Sequence, residues 1–167
     1  MNTVIEKSKH YYELLTNVAS SLQSPFLLLI RLYWGWQFIQ TGWGHITHLD
    51  KVTSYFADLG IPAPAITTPL ISLLELGGGV LLVLGLGSRL IAFLLSCNML
   101  VAFITGDREA LLSAFSDPDK FYAASPYTFL FASLLIFIFG PGKFCVDAVL
   151  ARVWRPQVVP AARAQAV

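Results

Sequence analysis

The chain has 167 residues, of which 56% are apolar and only 13% are charged, and its formal net charge is +1. A soluble domain usually carries charge on about a quarter of its residues, so this composition excludes an ordinary soluble protein. The small net charge excludes a basic surface that gathers nucleic acid. The aromatic and apolar content excludes a disordered chain. The composition therefore predicts a single domain whose main partner is the lipid bilayer.

Four apolar segments are long enough to cross a bilayer, which takes about 20 residues in a helix. They lie near residues 24–46, 67–86, 88–106 and 122–140. Lipid offers no partners to backbone groups, so helices are the expected form. The predicted fold class is all-α: an integral-membrane four-helix bundle with short interfacial helices. Its domains are an N-terminal interfacial segment (1–22), the membrane domain (23–148) and a C-terminal tail (149–167).

The distribution of basic residues predicts the orientation of these helices, because Lys and Arg are retained on the cytoplasmic side. The two connections on the opposite face are net negative. The basic residues of the predicted cytoplasmic side are Lys7, Lys9, Arg89, Lys143, Arg152, Arg155 and Arg163. Both termini are therefore predicted to be cytoplasmic.

Two amphipathic stretches flank the first membrane segment. Residues 3–22 have an apolar helical face that suits the cytoplasmic interface, and a frayed tail is the alternative. On the outer side, Asp50 is expected to cap a short helix that ends at Gly60 and lies over the bundle like a lid. The apolar stripe of that helix consists of Val52, Tyr55, Phe56 and Leu59.

Chemistry is expected at the few polar groups that lie at membrane depth. Glu75 falls about 12 Å deep at 1.5 Å per residue, where an ionised carboxylate needs a partner. Arg31 can extend toward Glu75, although an axial offset of about 8 Å leaves that pairing open. Gln37 is computed to lie at nearly the same height as Glu75, which makes it the easier hydrogen-bond partner.

One face of the first membrane helix is polar and aromatic along its whole length. At 100° per residue its members fall within an arc of roughly 120°. They are Arg31, Trp34, Gln37, Phe38, Thr41, His45 and His48. Such a face should point into the bundle. Two interpretations remain open: the polar groups fix helix packing, or they line a site for a small polar or quinone-like molecule.

Metal, haem and thiol chemistry receive little support. His45 and His48 are three residues apart at the outer end of the helix, but no third ligand stands out apart from Asp50 or Asp58. Cys97 and Cys145 lie in different segments and form no Cys-x-x-Cys pair, so a thiol–disulfide relay is not expected.

Several motifs together resemble the DoxX family over about residues 25–148. They are Arg31-Leu32 through Gln40-Thr41-Gly42-Trp43-Gly44-His45, Gly60-Ile61-Pro62, Leu74-Glu75-Leu76-Gly77-Gly78-Gly79, Leu84-Gly85-Leu86-Gly87-Ser88-Arg89 and Gly140-Pro141-Gly142-Lys143-Phe144-Cys145-Val146-Asp147. The resemblance implies a four-helix protein of a bacterial or archaeal cytoplasmic membrane. The family's namesakes are subunits of thiosulfate:quinone oxidoreductase, and other members associate with redox or detoxification partners. The family often has Lys where this chain has His45.

The resulting hypothesis is a membrane subunit in quinone-linked redox chemistry, with other membrane or redox subunits as partners and quinone as the candidate cofactor. Glu75 and Arg31 are its candidate catalytic residues. Trp34, Gln37, Thr41 and His45 are candidates for lining the quinone cavity, and no metal ligand is assigned. The alternative is a non-catalytic accessory or anchoring subunit of a larger complex. A carrier or channel is disfavoured because the sequence shows no inverted repeat.

Overall fold

The computed structural model describes residues 2–153, with side chains from residue 6 onward. Every regular element in that range is a helix, which confirms the predicted all-α class. The elements are α1 (Asn2–Thr47), α2 (Leu49–Asp58), α3 (Pro64–Leu84), α4 (Ser88–Thr105), α5 (Arg108–Leu112), α6 (Pro118–Ala123), α7 (Ser125–Phe139) and α8 (Val146–Val153). The predicted tail at 149–167 lies outside the described residues beyond Val153.

The long helices differ in how well they suit a bilayer. Among the described helices, α3 and α4 are long and apolar enough to be membrane spans, and α7 is a shorter apolar helix of 15 residues. The first predicted membrane segment forms the second half of α1, whose apolar character is diluted by Arg31 and by the polar residues of the face described above. A bilayer helix needs about 17–25 residues, so α7 is short for a full span.

Helix α1 is continuous from Asn2 to Thr47 and contains Pro25. Proline has no N–H and costs a helix one internal hydrogen bond, yet here the helix continues through it. The predicted segment at 1–22 and the first membrane helix therefore form one element. Residues 6–23 of this helix are exposed.

The last membrane segment was predicted to begin near residue 122, but α7 begins at Ser125. Ala124 has an extended backbone (φ −65°, ψ 123°), which separates α6 from α7. Pro126 follows in the first turn of α7, where its missing N–H has no intrahelical acceptor to lose. Apolar content averaged along the sequence does not detect this break, because apolar residues lie on both sides of it.

Glycines allow the long helices to approach closely. Helix α1 packs mainly on α3, α4 packs mainly on α7, and contacts between α3 and α4 join the two pairs. A Cβ on Gly79 would lie 2.7 Å from the carbonyl oxygen of Gly35 in α1, and one on Gly78 would lie 3.3 Å from Leu95 in α4. Gly77 faces open space. Gly78 and Gly79 of α3 thus form a packing surface for two neighbouring helices, as small residues do in membrane bundles.

The core is small and the outer surface is apolar. Fully or nearly buried residues of four helices form the main core: Phe38, Leu82, Ala92, Leu95, Met99 and Ile136. Many large apolar side chains point outward instead, including Trp36, Trp43, Leu73 and Ile138 at 57–60% exposure. Exposed apolar surface on this scale is rare in soluble monomers and is expected where lipid covers the protein.

The short helix α2 confirms the predicted lid helix but not its cap. Its N-cap residue is His48, and no side chain caps it. Asp50 lies in the first turn instead, where a carboxylate interacts favourably with the helix dipole.

Candidate functional site

A cavity of about 480 Å³ lies among α1, α2, α3, α4 and α7. This volume is within the range of about 300–1,000 Å³ that is typical of small-molecule sites. Most of its wall is apolar, and Phe38 and Met99 connect it to the core. The polar and charged members of the wall are Thr41, His45, Lys51, Glu75, Asn98, Thr105, Asp107 and Ser125. The cavity is therefore an apolar chamber with a polar patch.

Glu75 is the centre of that patch. Its residue is 2% exposed, and its Oε1 accepts a hydrogen bond of 2.9 Å from the side-chain amide of Asn98. Asn98 belongs to α4, so this bond joins α3 to α4 across the cavity wall. Burial of a carboxylate is costly unless it is paired or hydrogen-bonded, and Asn98 meets part of that requirement.

His45 approaches the other oxygen of the same carboxyl group. Its Nδ1 lies 3.0 Å from Glu75 Oε2, while the histidine side chain stays 30% exposed. The two atoms are within ion-pair distance of each other when the imidazole is protonated, and both are buried with no further hydrogen-bond partner. The pair therefore places a carboxyl group and an imidazole side by side in the cavity wall.

Helical spacing explains why these side chains meet. Phe38, Thr41 and His45 are three and four residues apart on α1, so they share one face and all contribute to the cavity wall. Ile71 and Glu75 are four residues apart on α3 and form the facing wall. The hydroxyl of Thr41 donates to the carbonyl oxygen of Gln37 at 2.9 Å, which satisfies that hydroxyl within its own helix.

The prediction that Gln37 lies level with Glu75 was wrong by about one helical turn. Helix α3 begins at Pro64 rather than near residue 67, and the close contact of Gly42 with Ser72 and Leu76 sets the register between α1 and α3. Glu75 consequently lies level with Thr41. The Gln37 amide is 3.5 Å from the hydroxyl of Tyr33 instead.

Trp34 lies beside the site and not in its wall. Its ring packs edge-on against Phe129 of α7, with ring centroids 5.1 Å apart. Phe129 in turn packs against Phe38, and both of these rings line the cavity. Of the four residues predicted to line a cavity, the structure places Thr41 and His45 in its wall.

Arg31 is buried at the end of the bundle opposite the cavity, and its guanidinium is engaged in hydrogen bonds there. Its guanidinium donates hydrogen bonds to the carbonyl oxygens of Leu82 and Val83 at the end of α3. It also donates to those of Pro141 and Phe144 in the segment that follows α7. Carbonyl groups at a helix C-terminus carry partial negative charge, so they are favourable partners for the guanidinium of Arg31. Its hydrogen bonds do not include Glu75.

Sequence reasoning missed Asn98. The polar groups singled out at membrane depth were Glu75, Arg31 and Gln37, and they did not include this amide of the third segment. An amide in the middle of an apolar membrane helix is nevertheless a signal in itself, because an unpaired amide is expensive in lipid. That signal gives the position of a partner for Glu75 only after the register between α3 and α4 is known.

The arrangement can bind and exchange a proton, because a carboxyl group and an imidazole share one small patch. Each is a common general acid or base. Within the described part of the chain, no group of three His, Cys, Asp or Glu side chains could hold a metal ion. His48 is exposed, and its ring lies near Thr47 and the carbonyl of Gly44, away from Glu75.

Comparison with known proteins supports the family resemblance. Residues 26–108 match the DoxX family model, which confirms the family predicted from the motifs. The chain is 29% identical over 134 residues to the inner membrane protein YqjF of Escherichia coli K12. That alignment covers 80% of this chain and 98% of YqjF. No solved structure matches the chain significantly.

Proposed function

We propose that this protein has a role in quinone-linked redox chemistry. The proposal starts from the DoxX domain of residues 26–108, which indicates an inner membrane protein of the DoxX family. The cavity is the quinone site in this proposal. One observation carries it: Oε2 of Glu75 and Nδ1 of His45 lie 3.0 Å apart, so a carboxyl group and an imidazole form a pair in the wall of a cavity that is mostly apolar. A quinone has this mixed character, with an apolar ring and polar oxygens.

A quinone held beside Glu75 and His45 would supply two-electron, two-proton redox chemistry. Glu75, assisted by His45, would exchange one of the two protons at a quinone oxygen, and the other proton would be exchanged with water. Asn98 is a positioning residue, because its hydrogen bond fixes the orientation of the carboxyl group. The electrons come from a donor bound by a partner subunit. Arg31 was a candidate catalytic residue, and its carbonyl partners favour a structural role in its place.

The proposal includes four membrane passages and cytoplasmic termini. The passages are the second half of α1, α3, α4 and α7, and the end of α6 extends the fourth passage beyond the 15 residues of α7. Two observations support the proposal: the basic residues cluster in the flanks assigned to the cytoplasm, and large apolar side chains cover the outside of the bundle. The location is the cytoplasmic membrane of a bacterium, as the name of the relative from E. coli suggests.

An accessory or anchoring subunit is the second candidate. The observation that favours it is the N-terminal part of α1, where residues 6–23 are exposed. Tyr11, Leu15 and Leu22 on this helix are 60–69% exposed. An apolar face of this kind is suited to a partner protein or to the membrane interface.

Electron transfer measured together with assembly separates the two candidates. Membranes containing the parent protein, Glu75→Gln or the control Glu13→Gln are assayed for quinone reduction driven by thiosulfate and other donors, and partners are co-purified. The control applies the same change to an exposed residue. Lost activity with intact partners in Glu75→Gln alone supports the quinone site. Activity that follows assembly in every variant supports the accessory role.

A further inference from the structure

The cavity is covered at one end by a segment that packs mainly on α3. We call α2 together with the turn after it, residues 49–63, the α2 lid. Six of its residues contribute to the cavity wall: Lys51, Val52, Tyr55, Phe56, Leu59 and Ile61. No residue of α2 is fully buried. The lid therefore rests on the cavity through partly exposed side chains instead of being inserted in the core.

Both ends of the lid are irregular. His48 interrupts the helical path between α1 and α2 with φ −129° and ψ 40°. At the other end Gly60 has φ +73° and Ala63 has φ +50°. Ala63 is the only non-glycine residue with positive φ in residues 2–153, and it precedes Pro64, a position where proline favours extended backbone. A strained residue at the end of a short segment suits a hinge.

Two side chains of the lid approach the far wall. The hydroxyl of Tyr55 lies 3.2 Å, and Cδ1 of Leu59 3.9 Å, from the point where a Cβ on Gly106 would be. Gly106 follows the last residue of α4, so Tyr55 reaches across from α2 to the end of α4. The opposite end of the cavity is closed by Phe38 and Met99 of the core.

We propose that the α2 lid opens and closes the cavity, with the contact of Tyr55 at Gly106 as its latch. Ligands enter and leave at this end of the bundle. The inference rests on the proposed function for the identity of the ligand, while the motion of the lid can be tested without any ligand. Opening requires loss of the Tyr55 contact and rotation of the backbone near His48 and Gly60.

The test measures how fast water-borne reagent reaches the cavity. Met99→Cys supplies a buried reporter in the cavity wall, in a background of Cys97→Ala and Cys145→Ser. The protein is placed in lipid nanodiscs, where both faces are accessible, and treated with a charged methanethiosulfonate reagent that does not enter lipid. Tyr55→Ala should raise the labelling rate several-fold. Gly106→Ala should do so as well, because its methyl group displaces the Tyr55 hydroxyl.

Phe115→Ala is the matched control, since Phe115 is a fully exposed aromatic residue outside the cavity wall, and its labelling rate should equal that of the parent. Thermal melting of each variant shows whether the bundle remains folded. Equal rates for the parent and Tyr55→Ala in folded protein, including no labelling in either, overturn the lid proposal.

Adding decylubiquinone separates the lid from the proposed ligand. Protection of the reporter by the quinone supports the quinone site, whatever the lid does. Faster labelling in Tyr55→Ala without protection by the quinone supports the lid proposal and contradicts the quinone site. Protection by the quinone, with equal labelling rates in the parent and Tyr55→Ala, supports the quinone site and contradicts the lid proposal.

Discussion

Glu75 is bound to its surroundings by two different contacts, and only one of them is complete. Asn98 donates a hydrogen bond to Oε1, whereas Oε2 lies 3.0 Å from Nδ1 of His45 and has no other partner. The contact with His45 is an ion pair only when the imidazole is protonated. The reason to expect a ligand is that this pair lies in the wall of a mostly apolar cavity.

Replacing Asn98 with Leu should lower the stability of the folded protein by about 1–3 kcal/mol, because a buried carboxyl oxygen loses its donor. The measurement is thermal or denaturant unfolding of the purified protein in detergent. Cys97→Leu is the matched control, since Cys97 is the adjacent residue on α4 and is exposed. Equal stability of the Asn98→Leu protein and the parent would mean that this hydrogen bond does not hold α3 to α4.

Arg31→Ala should destabilise the protein by about 3 kcal/mol or more, because buried carbonyl groups of two segments lose a charged donor. Unfolding measured as above, with the exposed Arg152→Ala as control, checks this expectation. If Arg31→Ala instead kept full stability but abolished quinone reduction, the residue would belong to the reaction and the structural role would be wrong.

At the scale of elements, the crossing of α1 and α3 sets the register of the whole site. Gly42 lies against the backbone of Ser72 and Leu76, and this contact brings Thr41 and His45 beside Glu75. Gly79 contacts Gly35 and Ile39 one to two turns further along. The glycines thus position the polar side chains, although they have no chemistry of their own.

Gly42→Ala should destabilise the bundle by about 1–3 kcal/mol, as overpacking of a close contact does, because the added methyl group would meet backbone atoms of α3. Gly44→Ala is the control on the same helix: nothing lies within 4 Å of a Cβ there, and alanine favours the helix. The melting temperatures of the two variants should therefore differ. A Gly42→Ala protein with the same melting temperature as the Gly44→Ala protein would contradict this register.

Periodicity and composition predicted the all-helical class and the part of the α1 face that enters the cavity wall, because both depend on residues close in sequence. Phe38, Thr41 and His45 share a face whatever the rest of the chain does. The partners of Glu75 could not be predicted in the same way. Asn98 and His45 reach it from two other helices, so their heights depend on where each helix begins and on glycine contacts that composition does not reveal.

At the scale of the whole molecule, the segment after α7 ties the bundle together at the Arg31 end. Asp147 accepts hydrogen bonds from the backbone N–H groups of Gly87 and Ser88 at 2.8 and 3.1 Å, at the start of α4. Its own N–H donates to the carbonyl oxygen of Gly85. These contacts join residues about 60 positions apart, so they arise only in the folded chain. The polar site lies nearer the other end, where the α2 lid covers it.

The proposed topology predicts which residues a membrane-impermeant thiol reagent reaches in intact cells. In a background without the native cysteines, Ser54→Cys and Ser116→Cys should be labelled from outside, because both lie in the predicted outer connections. Ser8→Cys and Ala151→Cys should be labelled only after the membrane is permeabilised. All four positions are exposed. Labelling of Ala151→Cys in intact cells would contradict cytoplasmic placement of the C-terminal side.

The central claim is that the patch of Glu75, His45 and Asn98 binds a quinone, and the affinity for decylubiquinone in lipid nanodiscs tests it most directly. The parent protein should bind it saturably. Glu75→Gln should raise Kd by about tenfold, because a hydrogen bond in the range of about 1–3 kcal/mol is lost, while Glu13→Gln should bind like the parent. No saturable binding by the parent, or equal Kd values for the parent and a folded Glu75→Gln protein, would contradict the claim.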